Sequence, residues 1–366
     1  MSRRGFDIAF YAPMKPPDHP MPSGDRRIAR MLIAALETAG HRVSLASRLR
    51  SWDGAGDPEV QRGFDAAGAA EAARLRAAWR DSGAQPDLWF TYHLYYKAAD
   101  WIGPRVAAAL NIPYVVAEAS VAYKRAGGPW DRGHRQTLAA LDQAARVITL
   151  NPKDAERLPD PEKTRMLAPF LDAARFAQPR EARNAPPVLV ATAMMRPGDK
   201  LASYRLLAEA LLQVADLDWS LLILGDGPAR GAVETAFAAL GGRVEFRGTV
   251  GEAALPEILA GCDLCVWPAI NEAYGMALLE AEAAGLPVVA GRSLGVPAVV
   301  AEGETGLLVP PGDAAAFAQA VRALLSDPER CRRLGRAAAR KVRRDHDLAA
   351  AARTLDSILQ DLKGAS

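Results

Sequence analysis

Two carboxylates, Glu272 and Glu280, sit at a spacing that suits a phosphorylated, hydroxyl-rich ligand. Glu272 follows an apolar run ending at Trp267-Pro268. Gly275 then permits a tight turn into a helix opening near Met276, which puts Glu280 on its second turn. The first amides of such a helix have no internal partners and carry partial positive charge, so they suit an anionic phosphate. A carboxylate ahead of the helix and another on its face would reach hydroxyls on either side of that phosphate. A nucleotide sugar has this layout, with the sugar on one flank and the ribose on the other. Two glutamates eight apart are weak evidence alone, because helices use glutamate freely. Their setting sharpens the signal: strand, Pro-containing loop, acid, aromatic-Gly turn, helix, then Gly285-Leu286-Pro287 and a β-branched run.

The elements that must position these residues follow a β-α rhythm. Strands are expected over 6–12, 42–46, 88–92, 114–117 and 146–150, with an edge strand at 165–167. Helical patterns lie at 25–39, 71–81, 102–110 and 131–144. The rhythm pauses over 172–187, rich in Pro, Arg and Ala, and restarts with strands at 188–192, 220–224, 244–246, 264–267, 287–290 and 306–309. Helices over 314–325, 329–344 and 348–362 close the chain. The expectation is an α/β protein of two doubly wound, mostly parallel sheets facing across a cleft, joined by a linker. Ligands of such sheets bind beyond the carboxyl ends of the strands.

At 366 residues the chain is long enough for two domains, and a net charge of +2 does not point to nucleic acid. No apolar run reaches the roughly 18 residues of a membrane span. The segment 6–12 is too short and too polar, with Asp7, for a secretory leader, so a cytoplasmic location is expected. The basic run Arg330, Arg332, Arg333, Arg336, Arg340, Lys341, Arg343 and Arg344 suits a solvated helix face, while leaving peripheral contact with the inner face of a membrane open. Cys262 and Cys265 form a C-x-x-C inside an expected buried strand, which favours core packing over a disulfide.

The run Glu272-Ala-Tyr-Gly-Met-Ala-Leu-Leu-Glu280 resembles the E-x7-E signature of family 4 of the retaining glycosyltransferases (glycosyl transferases group 1). Gly225-Asp226-Gly227-Pro228, Val244 to Val250, and Glu304 to Val309 with Pro311-Gly312-Asp313 fit the same pattern in order. The likeness covers 187–325 and, more loosely, the N-terminal half. The resemblance implies a GT-B fold. An N-terminal acceptor-binding domain over 1–172 would carry a C-terminal helix, 346–363, crossing back onto it, and a nucleotide-sugar domain would span 187–345.

The resemblance also implies roles. Glu280 would bind the ribose and Glu272 would face the donor sugar. Amides around Tyr274, Gly275, Met276 and Ala277 would hold sugar and diphosphate, with Gly225 nearby, and Thr249-Val250 would lie against the base. Arg196 and Lys200 resemble the family's diphosphate-neutralising pair, although Met194-Met195 replaces the usual Gly-Arg and sets Arg196 one place late. Gly24, in Pro22-Ser23-Gly24-Asp25, resembles the family's glycine loop. His93 matches a histidine at the edge of the cleft. Glu118 stands near where relatives carry another histidine and would contact the acceptor, with Lys124, Arg125, Trp130, Tyr95 and Tyr96 shaping that site and loops 52–61 and 119–132 choosing the acceptor.

No cofactor or metal is expected, the donor being a co-substrate, since Asp216-Leu-Asp218 and Asp345-His-Asp347 are not placed like a metal-binding pair. The expected reaction is hexose transfer from a UDP or GDP sugar to a saccharide or lipid-linked acceptor. A nucleotide-sugar epimerase or phosphorylase, and a silent sugar-nucleotide-binding paralogue, remain the alternatives.

Overall fold

The computed structural model describes residues 5–21, 23–150, 152–178 and 186–363, so Pro22 and residues 179–185 of the expected linker lie outside the described residues. The chain divides into two compact units. One runs up to Leu167 and resumes at Leu348; the other is Ala168–Asp347.

The first unit holds a six-stranded sheet in the order β2-β1-β3-β4-β5-β6, every pairing parallel. Its strands are β1 (Asp7–Tyr11), β2 (Arg42–Ser47), β3 (Leu88–Tyr95), β4 (Tyr114–Ser120), β5 (Arg146–Thr149) and β6 (Thr164–Met166). Between them lie α1 (Gly24–Thr38), α2 (Pro58–Ser82), α3 (Gly103–Leu110), α4 (Asp131–Gln143) and the single turn α5 (Pro152–Ala155). Helix α1 starts where the Ser23 hydroxyl accepts from the Arg26 amide, and it buries Ala29, Leu32, Ala35 and Leu36. Helix α2 begins thirteen residues earlier than the expected 71, so 58–61 belong to a helix and not to a loop. The cause is local. Asp57 accepts from the Glu59 and Val60 amides and Pro58 occupies the first turn, where its missing N–H costs nothing.

The second unit repeats the plan in the order β12-β11-β10-β7-β8-β9, again all parallel. Its strands are β7 (Val188–Thr192), β8 (Ser220–Leu224), β9 (Val244–Gly248), β10 (Leu264–Trp267), β11 (Val288–Gly291) and β12 (Gly306–Val309). The helices are α6 (Asp199–Leu212), α7 (Arg230–Phe237), α8 (Leu255–Ala260), α9 (Met276–Ala283), α10 (Val296–Val299), α11 (Ala314–Leu325) and α12 (Pro328–Asp345). After them α13 (Leu348–Lys363) packs against α1 in the first unit. Cys262 and Cys265 are buried and unbridged, and burial pushes the Cys265 thiol far up. Among the described residues no helix is long and apolar enough to cross a membrane.

Helix α12 presents Arg332, Arg333, Arg336, Arg340, Arg343 and Arg344 to solvent. Lys341 departs from the expected solvated face. Its Nζ turns inward, donating to the Val299 carbonyl at 2.6 Å and lying 2.7 Å from His346 Nε2, because the last carbonyl of the short α10 needs a donor. Beside this group Glu282 is fully buried on α9. Its Oε1 accepts from the Thr305 hydroxyl at 2.5 Å, while Oε2 has no partner among the described residues. Burial pushes the Glu282 carboxyl up to about 8, against the lowering effects of Thr305 and Lys341.

The folded protein therefore holds a proton here that the unfolded chain releases above about 4.5. Stability should fall as pH rises from that value through about 8, by roughly 1.4 kcal/mol per pH unit at most. Glu282→Gln keeps the shape and abolishes the titration. Urea unfolding at pH 5, 6.5 and 8 should show the variant gaining on the parent with each step. A pH-independent difference between the two would refute a buried, protonated Glu282.

Candidate functional site

In an open parallel sheet, the loops flanking the point where strand order reverses splay apart and leave a crevice. In the second unit that point lies between β7 and β10. Arg196 and Lys200 follow β7 and Glu272 follows β10, so Lys200 and Glu272 meet here, with Arg196 on the loop leading into α6. Lys200 Nζ forms a hydrogen-bonded ion pair with Glu272 Oε2 and stands 5.5 Å from the centre of the Trp267 ring, whose Nε1 lies 3.4 Å from the same oxygen. Tyr204 abuts that ring at 4.9 Å and donates to the Ala193 carbonyl at 2.7 Å. The Ile270 amide donates to Ser203 Oγ, tying the β10–α9 loop to α6. Arg196 is exposed, and among the described residues its guanidinium has no hydrogen bond or ion pair.

The loops are held by close backbone contacts. Gly225 and Gly227 have φ of 143° and 153°, and a Cβ would strike the Ala193 and Met195 carbonyl oxygens at 1.9 and 2.4 Å. Gly225 is thus required by the chain's own packing. Gly275, at φ 67°, is the left-handed entry to α9, as its position before the helix suggested. Glu280 is buried on that helix at 5% exposure. Tyr274, Met276 and Ala277 occupy the entry and first turn, while Thr249 and Val250 follow β9. Gly295 carried no sequence signal used above, yet a Cβ there would meet the Ala273 carbonyl at 1.9 Å, and its amide donates to the Glu272 carbonyl.

Residues 186–327 match the family model described as glycosyl transferases group 1. The matched stretch lies within the second unit, Ala168–Asp347. The chain is similar to the D-inositol 3-phosphate glycosyltransferase of Streptomyces avermitilis, with 43% identity over 97 residues, 26% of this chain and 21% of that protein. It is also similar to the protein of the same name from Streptomyces bingchenggensis, with 26% identity over 79% of this chain and 70% of that one. Among solved structures, the sucrose-phosphate synthase of Thermosynechococcus elongatus matches with a TM-score of 0.72 at 22% identity, covering 100% of both chains. The Anabaena HepE protein in complex with UDP-glucose matches with a TM-score of 0.68 at 16% identity, covering 98% of this chain and 100% of that chain. These structural likenesses fix the fold as GT-B-like, two parallel Rossmann-like sheets.

The first sheet reverses order between β1 and β3. Gly24 opens α1 after the β1 loop, and His93 lies inside β3, which runs to Tyr95 and does not end at Tyr92 as expected. The strand continues because it keeps pairing with β4 on both sides of His93: Tyr92 opposite Ala117, Leu94 opposite Ala119. His93 and Glu118 both take left-handed φ, 64° and 59°, so the two strands kink together. His93 Nδ1 lies 3.0 Å from Asp25 Oδ1 in the first turn of α1. Burial pushes the Asp25 carboxyl up, but the hydrogen bond and charge of His93 outweigh it and hold the carboxyl below its ordinary value. Glu118 is buried, and its Oε1 accepts from the Leu150 amide at 2.6 Å, so this oxygen braces the end of β5. Lys124 is exposed on a 3-10 turn, Tyr123–Arg125. Among the described residues, six non-glycine residues take positive φ, and of these only Asn111 is an ordinary helix C-cap. The other five, His93, Glu118, Ala269, Asn271 and Leu294, lie at or just beyond the carboxyl ends of strands.

Three of the four acids weighed as metal pairs are engaged within the fold. Asp216 binds Arg322 through both oxygens, Asp345 binds Arg344, and Asp347 accepts from the Ala173 amide.

Gly295→Ala should force the β10–α9 loop away from the segment before α10 and cost about 2 kcal/mol or more. The midpoint of urea unfolding reads this, and an unchanged midpoint would show that the loop does not depend on the contact.

Proposed function

We propose that this chain transfers a hexose from a nucleotide-diphosphate sugar, with UDP preferred over GDP, to a saccharide or lipid-linked hydroxyl, with retention and without a metal. One observation carries the reading. At the crevice of the second sheet, the Lys200–Glu272 pair sits beside an exposed Arg196 and ahead of α9. The UDP-glucose complex of the Anabaena protein supports a uridine donor at the level of fold.

In this reading the Ala168–Asp347 unit binds the donor and the other unit binds the acceptor. Glu280 takes the ribose hydroxyls, Thr249 and Val250 flank the base, and Gly225 brings backbone close to the nucleotide. As the anomeric C–O bond breaks, negative charge grows on the diphosphate. Arg196, Lys200 and the amides of Tyr274 to Ala277 stabilise it, which replaces the work of a cation. Glu272 orients the sugar and, by pairing with Lys200, keeps that ammonium aimed before the donor arrives. The acceptor oxygen forms the new bond on the face that the leaving group vacates, and its proton passes to the leaving phosphate. In the first unit His93, held by Asp25, serves the acceptor with Glu118 and Lys124, and the Gly24 backbone at the start of α1 suits a phosphate.

Nucleotide release from a panel of UDP and GDP sugars is the direct test. Lys200→Ala and Arg196→Ala should each lower kcat about 10²- to 10³-fold, and Glu280→Gln should act mainly through donor KM. Activity should survive chelation with EDTA. Restoration of a chelated enzyme by a divalent ion would overturn the metal-free mechanism, and no release from any donor would overturn the transferase reading.

A further inference from the structure

At the carboxyl edge of the first sheet two cations share one aromatic surface. Lys97 Nζ lies 5.0 Å from the Trp130 ring centre and 6.0 Å from that of Tyr96, and the Arg125 guanidinium lies 4.9 and 5.1 Å from the same two rings. Cation–π attraction steadies each charge. The two charges still repel, and among the described residues neither cation has a carboxylate partner. Arg125 Nε is buried without a hydrogen bond. A lone buried guanidinium nitrogen costs free energy unless something accepts from it.

Nearby acids cannot answer. Asp53 is filled by the Ala55, Gly56 and Asp57 amides and by Gln61. Asp131 holds Arg135 and the Gly127 amide, and Asp25 holds His93. The aromatic wall is rigid and built from two distant loops. The Trp130 indole donates to the Asp53 carbonyl at 3.0 Å, and Gln61 bridges Asp53, the Pro129 carbonyl and the Gly133 amide. It is also continuous with the proposed acceptor side, for rings step from His93 to Tyr95, Tyr96 and Trp130 at 5.1, 5.7 and 5.8 Å.

We propose that Lys97 and Arg125 form a subsite for a phosphoryl group carried by the acceptor. This rests on the transferase reading above and names the class of its second substrate. A phosphate monoester brings nearly two negative charges and three acceptor oxygens. That matches two cations, one of them a planar fork able to bind two oxygens at once. The Tyr96–Trp130 wall then packs against the acceptor's carbon skeleton.

The test uses the full chain, Lys97→Ala, Arg125→Ala, their combination and Arg125→Lys. Inorganic phosphate is titrated by calorimetry. Transfer is measured to matched pairs, glucose with glucose 6-phosphate and glycerol with glycerol 3-phosphate. Sedimentation with phosphatidylglycerol or phosphatidylcholine vesicles provides the lipid arm. Phosphate binding by the parent and its loss in the double variant are expected, with Arg125→Lys retaining part. The phosphorylated acceptor should be favoured at least tenfold in kcat/KM, with the loss in the double variant falling on acceptor KM. Preference among the soluble pairs would identify a sugar or polyol phosphate, whereas variant-sensitive binding to phosphatidylglycerol alone would identify a lipid phosphate. Equal use of both members of each pair, with no phosphate binding, would overturn the subsite, as would a loss confined to donor KM. If no donor is turned over, the transferase reading fails, and the calorimetry alone decides whether these cations bind phosphate.

Discussion

The ion pair of Lys200 with Glu272, seated against Trp267, is the contact on which the crevice between β7 and β10 depends. It joins the first turn of α6 to the β10–α9 loop and is half-buried, so water screens it less than a surface pair. A lysine held this way has lost much of its rotational freedom before a ligand arrives. In the proposed reading, a diphosphate would share the ammonium with Glu272 without having to gather it from solution. The neighbouring Arg196 plays the opposite part, exposed and uncommitted among the described residues, with reach enough to follow a diphosphate.

Around this pair the backbone is held where few residues sit willingly. Ala269, Asn271 and Leu294 take left-handed φ, and Gly295 and Gly225 pass so close to neighbouring carbonyls that no side chain fits. Strained positions survive when surrounding packing over-determines them, and here they converge on the loops that follow β7, β8, β10 and β11. The first sheet repeats the device with the paired kink at His93 and Glu118. Both sheets therefore spend stability at the carboxyl edge, where open parallel sheets bind ligands.

Most of the architecture was legible in the sequence because its signals are local. Runs such as Val188 to Thr192 and Leu264 to Trp267 are apolar and buried on both faces, so their assignment needed no tertiary knowledge. Glu272, Glu280 and Gly275 were readable because strand, loop, turn and helix follow one another in the chain. The early start of α2 was written in Asp57-Pro58 but hidden by Gly63 and Gly68, the latter packed under Trp101. The kink at His93 had no local sign, since no residue type announces a left-handed histidine. Nor could any local pattern tell that Gln61 would clasp Pro129 and Gly133, or that Lys97 and Arg125 would share two rings. Glu282 read as one more helical glutamate until burial gave it a raised proton affinity.

The central claim is that the β10–α9 loop and the Lys200–Glu272 pair receive the donor's diphosphate. Hydrogen–deuterium exchange with and without saturating UDP measures this amide by amide. Slowed exchange is expected at residues 271–280 and at 225–229, the loops following β10 and β8. Unchanged exchange there, or protection confined to the first sheet, would contradict it.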